Sequence, residues 1–164
     1  MKASQLKGRA VVTLSDAAKV GHIDDILFDA QYRRVLGLRI KKNLLGHTEA
    51  VTRESVSAMG ADAVTVPSPE TINVEDRFAE LSGAATLSDA HGTKVVTESG
   101  SMLGVIEDLE LDDDVRTVAA YTLSAPLWNR LRHGEPRVAA ADVLRLGEGG
   151  IMVVANSVAE AIKA

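Results

Sequence analysis

The residues of this chain best suited to chemistry fall into three groups. The densest is acidic: Glu107, Asp108, Glu110, Asp112, Asp113 and Asp114. Converging carboxylates hold Ca2+ or Mg2+, but a calcium loop needs Asp or Asn at three alternate positions and a glycine at its sharp turn. The run has neither, and strand alternation turns Glu110 away from Leu109 and Leu111, so a solvated turn is expected and no metal site. The second group is the four histidines, His22, His47, His91 and His133, no two of which stand at the spacing of helical or zinc-finger ligands. Serine, aspartate and histidine all occur, yet no nucleophile elbow or phosphate-cradling glycine loop accompanies them. The chain also has no cysteine, which removes thiolate metal sites, disulfides and cysteine nucleophiles. No catalytic residue and no cofactor is expected.

The third group lies in two connections, Lys41 to Thr48 and Ser124 to Pro136. Tryptophan and arginine are enriched where binding energy concentrates, and loops on a rigid scaffold often carry recognition. Leu44, Leu45, Leu127, Trp128, Arg130, Leu131 and Arg132 are therefore the expected partner-binding set. A second reading has the leucines and Trp128 fold back as a plug over the core. A third has Arg39, Lys41, Lys42, Arg53, Arg130, Arg132 and Arg137 contacting RNA phosphates while Trp128 stacks on a base. A net charge of −5 and a pI near 5.4 weigh against bulk nucleic-acid affinity. A protein partner or a second copy of the chain is thus the first expectation, and RNA the alternative.

What positions these residues is a tandem repeat. Gly-His-Ile-Asp-Asp-Ile-Leu-Phe-Asp at 21–29 returns as Gly-Val-Ile-Glu-Asp-Leu-Glu-Leu-Asp at 104–112, a shift of 104 − 21 = 83. Upstream, Gly8, Val11, Val12 and Thr13 match Gly92, Val95, Val96 and Thr97 at 92 − 8 = 84. Downstream, Val51, Val56, Gly60 and Val66 match Val138, Val143, Gly147 and Val153 at 138 − 51 = 87. A period above 80 residues means a duplicated globular unit rather than a short solenoid repeat. The expected division is repeat one at 1–69, a linker at 70–86 and repeat two at 87–164.

Within each repeat, Val-Val-Thr marks a first strand, and the central stretch breaks period-two alternation once, at Asp24-Asp25 and again at Glu107-Asp108. A β-bulge there lets both apolar sets face the core. Asp29 to Arg33 and Asp112 to Arg116 are expected as hairpin turns. The next strands put Leu36, Leu38 and Ile40, or Ala119, Tyr121 and Leu123, on one inward face, and closing strands follow at 63–66 and 151–154. Pro67-Ser68-Pro69 breaks the chain, Val74 to Leu81 reads as a short linker helix, and a second helix runs from Asn156 or Ser157 to Lys163. With 3% aromatic residues the cores must be aliphatic, and lobes of this size must lean on each other. No segment approaches the roughly 20 apolar residues of a membrane span, and a soluble, cytoplasmic protein is expected.

The order Leu6-Lys7-Gly8-Arg9-Ala10-Val11-Val12, then Val20-Gly21-His22-Ile23-Asp24-Asp25-Ile26-Leu27-Phe28-Asp29, then Val35-Leu36-Gly37-Leu38, then Val56 to Val64, resembles the PRC-barrel family. That family is named for the H subunit of the photosynthetic reaction centre and also supplies the C-terminal domain of the bacterial ribosome maturation factor. The resemblance extends to both repeats, although the second has Gly-Glu-Gly-Gly at 147–150 where the first has Gly-Ala-Asp-Ala. It implies an all-β chain of two small tandem barrels, without catalytic residues, serving as an adaptor or assembly module.

Overall fold

The computed structural model describes residues 1–42, 48–124 and 134–163, and most of its regular structure is β, with short helical turns between strands. The first sheet contains β1 (Ala10–Thr13), β2 (Ala18–Phe28), β3 (Val35–Lys41), β4 (Thr48–Thr52), β5 (Ala58–Met59) and β6 (Ala63–Val66). After a linker come β7 (Ala85–Thr86) and a single helical turn, α1 (Leu87–Ala90). The second sheet then follows: β8 (Lys94–Thr97), β9 (Met102–Leu111), β10 (Val118–Leu123), β11 (Arg137–Ala139), β12 (Val143–Leu146) and β13 (Ile151–Val154). A helix, α2 (Ser157–Lys163), follows the last strand. The strand orders are β4-β3-β2-β1-β6-β5 and β11-β10-β9-β8-β13-β12, so the repeat in sequence is a repeat in topology. In both copies the penultimate strand of the path returns parallel to the first, Val64 beside Val11 and Met152 beside Val95, which curls each sheet on itself. The longer glycine turn of the second copy leaves this closure unchanged: Gly147 and Gly60 donate equivalent amides, to Ile151 O and Ala63 O.

The acidic bulge lies where the alternation breaks. Pairing slips between Ile23 and Asp25 in one copy and between Ile106 and Asp108 in the other, leaving Asp24 and Glu107 as the extra residues. Ile23, Ile26 and Phe28 all reach the core as a result. A second slip has no trace in the hydrophobic pattern. Leu27 pairs with Gly37 and Phe28 with Val35, so Leu36 is extruded; Glu110 pairs with Ala120 and Leu111 with Val118, so Ala119 is. This corrects the expectation that both face the core. Leu36 packs instead with Leu27, Ala50 and Leu81 in a small outer cluster beneath the linker, and Ala119 is exposed.

The linker helix takes the form of two 3-10 turns, Glu75–Arg77 and Ala79–Leu81, with Phe78 extended between them at φ −106° and ψ 106°. Tertiary anchors override a weak local preference here: Arg39 binds Glu75, and Leu81 is buried on the outer face of the first sheet. At the other end α2 turns Val158 and Ile162 toward the main core, while Asn156 Oδ1 accepts from the Ser99 amide.

Gly21 and Gly104 begin the repeated motif for a steric reason. A Cβ on Gly21 would sit 2.5 Å from the Lys41 carbonyl oxygen, and Gly104 holds φ +143° with the Ser124 carbonyl 3.1 Å from where its Cβ would be. Gly21→Ala is therefore expected to cost about 1–3 kcal/mol, because backbone on the adjacent strand must yield. A urea midpoint equal to wild type would contradict this packing.

Candidate functional site

The groups that looked most reactive in the sequence meet at the junction of the two barrels. Each repeat begins with a segment that leaves its own sheet and lies on the other. Leu111 donates its amide to Met1 O, and Lys2 bridges Glu110; reciprocally, β7 pairs Thr86 and Ala85 with Leu27 and Phe28 of β2. A helical turn follows in both cases, Ala3–Leu6 and α1. Ser4, on the first turn, donates its amide at 3.1 Å to Asp108 Oδ1 and its hydroxyl to Asp108 Oδ2. Ser88, on the second, donates its hydroxyl at 2.7 Å to Asp25 Oδ2. Thr86 caps α1 by accepting from the Asp89 amide. Ser4 and Ser88 are repeat equivalents, as are Asp25 and Asp108, so one contact is made twice across a pseudo-two-fold axis.

The two aspartates are 6% and 7% exposed, and the strand amide that follows each, Ile26 or Leu109, donates to it at 2.8 Å. Lys7 Nζ donates to Ser88 Oγ at 2.8 Å and stands 3.8 Å from Asp25 Oδ1. Proximity of serine to lysine suggests a nucleophilic dyad, but such a pair needs a lysine able to receive the serine proton. Here the Ser88 proton goes to Asp25 and the lysine is itself the donor. His91, the repeat equivalent of Lys7, lines a cleft with Ser4 and Asp108 but is exposed, and its side chain makes no hydrogen bond among the described residues. Ser4 gives its proton directly to Asp108, so no imidazole intervenes. The arrangement fastens each opening turn to the opposite bulge.

The hairpin tips complete the junction. Asp29 Oδ1 accepts the amides of Arg33 and Arg34, and Asp112 Oδ1 those of Arg116 and Thr117. For Asp112, burial alone would raise the pKa. The Arg116 and Thr117 amides, the Thr117 hydroxyl and the Arg53 charge outweigh it and hold the carboxyl below its ordinary value. Tyr32 and Val115, three residues past each aspartate, both adopt positive φ, 52° and 54°. Their carbonyls are caught by the opposite half: Tyr121 Oη donates to Tyr32 O at 2.7 Å, and Arg53 Nε to Val115 O at 2.9 Å. Gln31 exchanges two hydrogen bonds with the Leu146 backbone. The result is one hydrophobic core running through both barrels, from Phe28, Tyr32 and Val35 to Leu111, Val115 and Val118.

The acidic run is thereby divided among separate tasks. Asp108 holds Ser4, Glu110 pairs with Arg137, and Asp112 folds its hairpin. No three histidine, aspartate or glutamate side chains are placed to hold a metal among the described residues. In the proposed RNA set, Arg39 pairs with Glu75, Lys42 with Glu49 and Arg137 with Glu110, and Arg53 is bound to carbonyls; Lys41 is exposed. His22 is exposed. The partner set Leu44, Leu45, Leu127, Trp128, Arg130, Leu131 and Arg132, together with His47 and His133, lies outside the described residues.

The strands leading to those connections are described, and they diverge. Arg34 and Thr117 form an antiparallel bridge, with Val35 donating to Arg116 O and Val118 to Arg33 O. From that point β3 and β10 run in opposite directions, for seven and six residues. At about 3.3 Å per residue the last described positions before the connections, Lys42 and Ser124, would lie roughly 50 Å apart for straight strands, and less with curl.

Residues 1–77 match the family model described as the PRC-barrel domain. The chain carries a PRC-barrel domain. The match covers the first barrel and the start of the linker, and the second sheet repeats the strand order of this PRC-barrel. No curated protein matches the chain. No helix among the described residues is long and apolar enough to cross a membrane.

Proposed function

We propose that this PRC-barrel chain is a non-enzymatic, cytoplasmic adaptor or assembly module that binds a protein partner, or a second copy of itself, through its two β3–β4 type connections. The observation that carries the reading is the divergence of β3 and β10 from the Arg34–Thr117 bridge. The described strands that lead to the two connections head in opposite directions, which supports a bridging role. The groups that would otherwise argue for catalysis, Asp25, Asp108, Ser4 and Ser88, are already engaged in holding the barrels together. The RNA reading is weaker, because three of its arginine and lysine side chains have carboxylate partners and would release fewer counterions on binding phosphate.

The test compares wild type with Trp128→Ala, Leu131→Ala by light scattering and by affinity capture from native lysate. Loss of an oligomer or of a defined protein partner by a mutant that keeps the wild-type circular dichroism supports the adaptor. Co-purified RNA that leaves at high salt would replace it with the RNA reading. A mutant that unfolds would assign Trp128 to packing and remove this connection as the site.

A further inference from the structure

A cleft of about 490 Å³ lies on one side of the barrel junction, with walls from the first barrel, the linker and the second hairpin tip. Three arginines line it from three separate elements: Arg34 after the first hairpin, Arg53 after β4 and Arg116 on the second hairpin. Arg53 is anchored by Nε to Val115 O and by Nη2 to Asp114 O, which fixes its plane and leaves Nη1 as a further donor. Arg116 Nη1 binds Glu54 in a pair whose side chains are 49% and 82% exposed, a contact of the kind that exchanges readily with solvent or ligand. Arg34 is exposed, and its side chain makes no hydrogen bond or ion pair among the described residues. Glu54 and Glu80 are the carboxylates on the walls, so arginines outnumber them by three to two.

The fold does not require this cluster. On the opposite side of the pseudo-two-fold axis the repeat equivalents of Arg34, Arg53 and Glu54 are Thr117, Ala140 and Ala141, and that side closes with the same strand order. Arg53 also stands at an electrostatic cost. Burial, and then the neighbouring Arg116, lower its pKa against the opposing charges of Glu54, Asp112 and Asp114, and an anion placed between the two arginines would offset their repulsion.

We propose that this cleft binds a phosphate group carried by a small molecule. Guanidinium forks match phosphate oxygens, and three of them approaching from different elements offer more donors than a planar carboxylate can accept. The cleft floor, Val35 and Leu36, provides apolar surface for the body of such a ligand. The two glutamates oppose a long polyanion while leaving room for one phosphate.

Calorimetric titration of the full chain with inorganic phosphate and with pyrophosphate, at low ionic strength, tests the proposal against acetate as the carboxylate comparison. Saturable binding is expected, weakened about tenfold by Arg34→Ala, which removes charge-assisted hydrogen bonds to the ligand without breaking a described contact. Lys94→Ala, an exposed cation elsewhere on β8, should leave binding unchanged. No saturable phosphate binding, equal binding of acetate, or equal losses in the two variants would overturn it. These outcomes are independent of whether the connections bind a partner.

Discussion

Asp25→Ala is expected to destabilise the chain by about 2–3 kcal/mol, a large effect for one carboxylate. The change strips Ser88 of its acceptor, Ile26 of its side-chain acceptor and Lys7 of its counter-charge together. Asp108→Ala should cost a similar amount through Ser4 and Leu109. Because the two contacts are repeat equivalents on the same junction, their losses should couple when combined. With one fastening gone the barrels still share the other, and with both gone the opening turns are released from the opposite sheets. A double-mutant cycle read by urea midpoint measures the coupling. Strictly additive losses of a few tenths of a kcal/mol each would show that these carboxylates are not fastenings, and would reopen the question of what buried aspartate beside serine and lysine is for.

The second large effect is expected at Tyr121. It is fully buried, lies on β10 of the second barrel, and donates to a carbonyl on the first hairpin tip, where Tyr32 is held at positive φ. Tyr121→Ala should cost about 3–5 kcal/mol from cavity formation and lost burial. Tyr121→Phe isolates the hydroxyl and should cost about 1–2 kcal/mol, since Tyr32 O would be left buried without that donor. Both tyrosines also report on pH. Burial raises the Tyr121 hydroxyl to about 12, against a lowering by Arg33 and a further rise from Asp29. Burial likewise raises Tyr32 to about 12, aided by Asp89 and Asp25. The folded pKa lies above the unfolded value of 10.0, so the stability these groups contribute is fully present below pH 10 and is lost as pH climbs toward 12. The chain has two tyrosines, so ultraviolet titration should show no phenol ionising near pH 10 in the folded protein. A normal phenolate transition at that pH with the sheets intact would contradict the burial of this junction.

Much of the barrel was legible because the duplication provided each signal twice. The phase slip at Asp24-Asp25 recurs at Glu107-Asp108, and two breaks of the same alternation specify a bulge where one could be chance. The aspartates that open the hairpins were readable from local chemistry, since a carboxylate accepting nearby amides needs no tertiary partner. Leu36 and Ala119 were not. They sit in uninterrupted alternation with Leu38, Ile40, Tyr121 and Leu123, and the second slip that extrudes them lies in the pairing with β2 and β9, which the pattern of a single strand does not record.

The exchange of opening segments was likewise invisible to periodicity, because it is a contact between positions about a hundred residues apart. One signal did exist. Ser4 matches Ser88 at the shift of 84 that aligns Gly8 with Gly92, and Asp25 matches Asp108 at 83. Polar pairs retained in both copies beside apolar neighbours mark a shared structural duty. The arginine cleft left no such trace, since Arg34, Arg53 and Arg116 are scattered in sequence and meet only when the hairpin tips cross.

The central claim is that the repeated acidic motif makes two PRC-barrel-like halves into one cooperative unit. Native-state hydrogen exchange across a urea series tests it most directly, by comparing slow amides of β2 and β3 with those of β9 and β10. The account predicts that both sets converge on one opening free energy with one denaturant slope in the wild type, and separate in the Asp25→Ala, Asp108→Ala double mutant. Two distinct opening free energies in the wild type, with one sheet exchanging while the other stays protected, would contradict it.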